Sequence, residues 1–280
     1  MDDSGGGARL LSTVVPVALE EACARLLQLG DAFVALARSI PDPGLPTRGL
    51  EWTLGETAAH VLQTVREYDA ALRGSVRPQG ATDDVIALVT QRNREELGAE
   101  PERDPLRLAT ALIDAIGGLD GAARGAGPDG RAVFTSEYSA TTTTTVAGMI
   151  VELAVHGNDI ATSIRRAWSV EPAVALPGIY AAAAALPLML DADAAGDTRL
   201  HVEVRPRGGR AFSIRVEDGR AWTDTNGTGA DARLSIDPFT FLLIAYGRLK
   251  PWTPVLRGKM LVWGRKPWRA LELERLFRNP

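Results

Sequence analysis

The chain has 280 residues, 45% hydrophobic and 24% charged, with a formal net charge of −4. That length exceeds one average domain, and the acidic balance argues against a general nucleic-acid binder. The single cysteine, Cys23, excludes an internal disulfide framework and a cysteine-ligated zinc site.

The opening "MDDSGGGARL" is acidic and Gly-rich and lacks the basic-then-apolar order of a signal peptide, so residues 1–14 are predicted disordered and the protein cytoplasmic. A first helix is expected from about Val17 to Ile40, with Cys23 on its apolar stripe as a core thiol. It stops before "PDPGLPTRGL", which cannot continue a helix. In "WTLGE" a capping box, Thr53 with Glu56 three residues on, starts a second helix that runs to about Arg73 and carries His60. Further helices are predicted from Asp83 to Leu97 and, after the Asp104-Pro105 start signal, from there to about Ala123. "RGAGPDGRAVF" reads as a loop. The next helix begins within the threonine run Thr141–Thr145 and ends near Arg166. "VALPGIYAAAAALPLML" is Ala-rich, interrupted by Pro177 and Pro187, and slightly short for a membrane span. Long helices with short connections over residues 15–192 predict an antiparallel bundle.

After Gly196 the texture changes. "RLHVEVRP", "AFSIRVED", "RAWTDT" and "ADARLSID" alternate like antiparallel strands. A helix capped at Asp237-Pro238 and running to about Tyr246, a strand "KMLVWG" and a helix from Pro267 to Phe277 complete an α+β unit over residues 196–280. Its last part, Tyr246 to Pro280, holds nine Lys and Arg against two Glu, a basic edge suited to an anionic small molecule. His201 shares a face with Glu203 and Arg205 and is expected to be solvent-exposed.

The chemistry concentrates in "VELAVHGNDIA". Glu152 and His156 are four residues apart and so lie one turn apart on one helix face. They form either a buried ion pair or part of a metal site. His60 is expected to face the bundle interior beside them, in the manner of bundle metal centres. Three nitrogen and oxygen ligands leave positions open and suit zinc, nickel, iron or manganese. No phosphate loop, nucleophile elbow or dinucleotide fingerprint is present.

"EWTLGETAAHV" followed far downstream by "VELAVHGNDIA" resembles the mycothiol-dependent maleylpyruvate isomerase family of the DinB-like four-helix bundles. The resemblance implies a divalent metal, usually zinc, held by His60, Glu152 and His156, with Asp159 contributing to the thiol or substrate site. The segment from Ala230 to Phe277 is similar to a sterol carrier protein type 2-like module, although Gly264-Arg265 replaces the Gly-Asp common there. An arginine in that domain, aligned with Arg248, is expected to assist the substrate, and Tyr138 to line the pocket. The implied activity is that of a metal-dependent enzyme using mycothiol, as an S-transferase or a cis–trans isomerase acting on an electrophilic, possibly anionic, substrate. The thiol then comes from outside the chain, which fits the lack of a second cysteine. The competing expectation is a non-catalytic protein that binds an apolar ligand through Phe239, Phe241, Leu242, Leu243 and Trp263, with the bundle as scaffold.

Overall fold

A computed structural model describes residues 9–75, 85–135 and 138–278. The predicted disorder of residues 1–8 and the predicted helix start at Asp83 lie outside the described residues. The helical part comprises α1 (Leu19–Ala37), α2 (Leu54–Leu72), α3 (Val85–Ala99), α4 (Pro105–Ala126), α5 (Thr142–Ser163) and α6 (Pro172–Ala185). Helices α1 and α2 each pack against both α4 and α5, so these four enclose the bundle core, with α3 against the outside of α2.

The caps are those the sequence dictates. Thr53 Oγ1 accepts from the Glu56 backbone N–H at 3.2 Å, while Glu56 Oε2 accepts from the Thr53 N–H at 2.8 Å. The Asp104 carboxylate accepts from the N–H groups of Leu106 and Arg107 ahead of Pro105, and Thr141 caps α5 through Thr144. Cys23 is fully buried, and burial first, then its hydrogen bond to Asp120, pushes the thiol up to about 12, leaving it unreactive at neutral pH.

Three expectations are corrected in this half. Residues 9–11 are a strand, β1 (Arg9–Leu11), rather than disordered, because they pair in parallel with β3 (Tyr138–Thr141). The predicted loop at 124–134 ends in a strand, β2 (Arg131–Val133), antiparallel to β3. Helix α6 runs through Pro177, which supplies no N–H for its helical hydrogen bond, and packing against α5 holds the helix across it. The stretch Pro172–Met189 is long and apolar enough to cross a membrane by length and composition, and most of it is buried within the protein.

After the short helix α7 (Ala192–Ala195), the sheet part comprises β4 (Leu200–Pro206), β5 (Phe212–Glu217), β6 (Arg220–Asp224), β7 (Ala232–Ile236), helix α8 (Pro238–Ala245), helix α9 (Trp252–Leu256) and β8 (Met260–Gly264), in the order β6-β5-β4-β7-β8. Pairing is antiparallel except that β4 and β7 run parallel, which the alternation pattern alone does not reveal. Since β6 and β7 lie on opposite sides of β5 and β4, the connection between them must cross the sheet. That glycine-rich connection covers the face on which His201 sits: Ser213 Oγ donates to the Asn226 carbonyl and lies 3.0 Å from His201 Nε2, and the Asp231 N–H donates to the His201 carbonyl. His201 and Glu203 are therefore buried, not exposed as expected.

Phe239, Phe241 and Leu242 are buried and Phe241 meets Phe212 edge to face, so they are core residues of the sheet part, whereas Trp263 is exposed. Arg265, Lys266 and Arg269 of the basic C-terminal edge gather around the one carboxylate of Asp231, and Lys250 pairs with Glu274, so the edge is only partly neutralised. Tyr180 of α6 locks the two parts together: its hydroxyl accepts from the Arg210 N–H at 2.7 Å and donates to the Arg210 carbonyl at 3.2 Å.

Candidate metal centre and its cavity

Helices α2 and α5 are antiparallel neighbours, since Trp52 just before α2 and His60 within it face His156, while Tyr68 near its end faces Gly148. This pairing places His60 beside the Glu152–His156 turn. Potential ligand atoms of His60, Glu152 and His156 all lie within 4.8 Å of one another. Glu152 Oε2 is 3.3 Å from His156 Nε2 and 3.8 Å from His60 Nε2, and the two imidazoles meet edge to face at 5.0 Å. The Trp52 ring lies over His60 at 4.7 Å.

Both histidines are buried, and about a fifth of the Glu152 side chain faces the cavity. Burial opposes charge on all three groups. It lowers the His60 pKa, despite the nearby Glu152 carboxylate. For Glu152 the hydrogen bonds from His156 and His60 outweigh burial and hold the carboxyl far below its ordinary range. For His156 the hydrogen bonds to Asp159 and Glu152 outweigh burial and raise it to about 8.

Behind His156 sits a polar chain that no sequence pattern announces. His156 Nδ1–H donates to Asp159 Oδ2 at 3.2 Å. The same carboxylate accepts from Arg248 Nε at 3.2 Å and Nη2 at 3.0 Å, and Arg248 Nη1 donates to the Tyr246 carbonyl. Asp159, expected at the thiol or substrate, is 2% exposed and turned to these two residues instead. Burial works against its charge, but His156 and Arg248 hold its carboxyl below the ordinary value. Arg248 thus reaches from the turn after α8 into the bundle and closes the cavity beside the triad. Three of its five N–H donors are engaged, so two remain for a ligand.

The cavity has a volume of about 840 Å³ and is lined by the three triad residues, Arg248 and Tyr138. Tyr138 stacks on Phe134 at 6.0 Å, and Phe134 in turn meets Tyr68 edge to face. Sequence reasoning passed over Trp52, Tyr68, Gly148 and Tyr246 as cavity-lining residues. A signal for two of them is present: Trp52, Glu56, His60, Thr64 and Tyr68 recur every four residues, a stripe along α2 that begins just before its cap.

These donors fit a divalent ion. Two imidazole nitrogens and one carboxylate converge, and Asp159 takes the Nδ1–H of His156, which leaves Nε2 free to ligate, the arrangement by which outer carboxylates orient metal-binding histidines.

Residues 25–161 match the family model described as mycothiol maleylpyruvate isomerase N-terminal domain. Two solved structures are similar over most of the chain. One is the mycothiol-dependent maleylpyruvate isomerase, at 14% identity and a TM-score of 0.53, covering 86% of this chain and 94% of that one. The other is a histidine-to-alanine mutant of such an isomerase, at 12% identity and a TM-score of 0.53, covering 85% and 93%. Likeness at this identity shows the fold, a helical N-terminal region followed by a sheet region. No curated protein matches the chain.

Proposed function

We propose, from the premise that the helical part of this chain belongs to the mycothiol maleylpyruvate isomerase N-terminal domain family, that the protein is a metal-dependent enzyme working with mycothiol on an electrophilic small molecule, as an isomerase or an S-transferase. The observation that carries this reading is the convergence of His60, Glu152 and His156 at the wall of a cavity large enough for two small molecules.

His60, Glu152 and His156 would hold the ion, with zinc, nickel, iron and manganese all compatible with such donors. A bound divalent ion supplies Lewis acidity that lowers the pKa of an external thiol toward neutrality. The chain does the rest. Trp52 covers His60 and keeps bulk water from that side of the triad. Asp159 fixes the His156 ring and the Arg248 guanidinium in one hydrogen-bonded unit, so the ligand and the substrate-facing cation keep a set spacing. In isomerisation or transfer to an activated double bond, negative charge builds on a substrate oxygen, and the two unengaged Arg248 donors are placed to receive it. Tyr246 is kept neutral by burial first and by Glu152 second, so its phenol remains a hydrogen-bond donor at physiological pH.

The test is to incubate the zinc-loaded protein with mycothiol and a cis-unsaturated carbonyl compound, following the isomer by chromatography and any thioether by mass spectrometry. Formation of the trans isomer or of the adduct, dependent on mycothiol and absent with metal-stripped protein, is the expected result. Full metal loading with neither product, and no effect of mycothiol on any electrophile, would overturn the proposal.

A further inference from the structure

We propose that a second cavity, on the far side of the Asp159–Arg248 pair from the triad, binds a small multivalent anion. Its volume is about 780 Å³, the size of a pocket for one small molecule, and it lies where the helical and sheet parts of the chain meet. The last turns of α5 supply Asn158, Asp159 and Thr162 to one wall, while the start of α8 and Thr253 of α9 supply the other. Arg248 lines this cavity as well as the triad cavity, so the pair that orients His156 is the partition between them.

The charge on this wall is unbalanced. Arg48, Arg257 and Lys259 all line the cavity, and none of them has a carboxylate within 4.0 Å among the described residues. They come from three separate places. Arg48 stands in the connection before α2, with its backbone N–H on Ser163 Oγ at 2.8 Å, Arg257 ends α9, and Lys259 precedes β8. The two carboxylates in the wall are both engaged. Asp159 is committed to His156 and Arg248, and Asp237 accepts from the Thr240 N–H at 2.9 Å and from its hydroxyl at 2.7 Å as the cap of α8.

Elsewhere on the basic C-terminal edge the cations are paired: Lys250, Arg265, Lys266, Arg269 and Arg275 each have a carboxylate partner. Arg257 and Lys259 depart from that pattern, and both of them line the cavity. An anion seated among cations from three elements offsets their mutual repulsion and takes directed hydrogen bonds from two guanidinium groups, while the concave wall focuses the field. Hydroxyls of Thr162, Ser169 and Thr253 line the same space and can donate to its remaining oxygens. The unpaired charge is gathered in one pocket, which suits a small molecule carrying two or more phosphate or carboxylate groups.

This inference is independent of the thiol-enzyme reading. The experiment follows the fluorescence anisotropy of pyrenetetrasulfonate, a tetraanion, on the full chain at low ionic strength. Saturable binding is expected, displaced by fructose bisphosphate, by tricarballylate or by both; the first marks a phosphate-bearing ligand and the second a polycarboxylate. The double variant Arg257→Ala/Lys259→Ala should weaken the probe about ten-fold or more. Arg48→Ala, in the other part of the chain, should weaken it as well, so that the loss cannot come from local damage to the sheet part. Arg265→Ala/Lys266→Ala removes the same charge from the paired stretch of the edge and should leave the affinity within about two-fold, because no direct contact is lost. No saturable binding, displacement by neither anion, an affinity indifferent to Arg257→Ala/Lys259→Ala, or equal losses in the two double variants overturns the inference. Failure of zinc or mycothiol to bind would overturn the proposed activity and leave this site standing.

Discussion

Glu152→Gln is expected to strip the site of metal, lowering affinity by at least the 10–100-fold that loss of a mere outer-shell partner produces, as read by equilibrium dialysis with zinc. Glu152 is the only carboxylate of the triad, and it faces both imidazoles. The same variant carries a second signature, in metal-free protein. The raised His156 pKa contributes stability that is full below about pH 6.5 and is lost as pH rises through about 8. His60 is shifted down by burial, so its contribution fades in the other direction, as pH falls below 6.5. Metal-free wild type should therefore lose stability as pH rises from about 6.5 to 8, measured by urea unfolding, beyond the decline that Glu67, raised by burial to about 7, adds as pH rises through 7. In Glu152→Gln the decline between pH 6.5 and 8 should shrink, because His156 loses one of its two carboxylate partners. An unchanged metal affinity in this variant would remove Glu152 from the ligand set.

Asp159→Asn is expected to lower turnover per metal-loaded enzyme by about 10²-fold or more and zinc affinity by about 10–100-fold. Asp159 is almost fully buried between His156 and Arg248, and the amide replaces one of its acceptor oxygens with an NH2 that cannot accept from Arg248 and leaves that cation unneutralised. It acts through those two residues, so it is a positioning residue. Two readouts separate this from a general loss of structure. Arg248→Lys should reduce turnover while leaving zinc affinity within a few-fold, because only Asp159 connects to the ligand histidine. The double variant should be little worse in turnover than Asp159→Asn alone, since residues that act as a unit are non-additive. Additive losses would contradict the coupling, as would normal zinc affinity in Asp159→Asn.

The parts of the fold and site legible in the sequence are those encoded within a few residues. The capping box at Thr53 and Glu56, the Asp104-Pro105 start and the four-residue spacing of Glu152 and His156 all act through one or two helical turns, and each appears where the pattern puts it. What escaped depends on distant pairing. The strand at Arg9–Leu11 exists only because Tyr138–Thr141 lies beside it. The parallel pairing of β4 with β7 follows from a crossover, and that crossover buries His201. The Asp159–Arg248 ion pair joins residues 89 apart in sequence, so the carboxylate's partner is invisible to any local pattern. Tyr68 and Gly148 are unremarkable on their own helices, and they become neighbours across a cavity only once α2 and α5 are antiparallel.

The central claim is that His60, Glu152 and His156 hold an ion to which an external thiol can bind, and it is tested most directly by titrating cobalt-loaded protein with mycothiol and recording the near-ultraviolet absorption. A saturable thiolate-to-cobalt band reaching one equivalent per chain, absent in Glu152→Gln, is the result this account predicts. Full cobalt loading of the wild type with no spectral change up to millimolar mycothiol would contradict it.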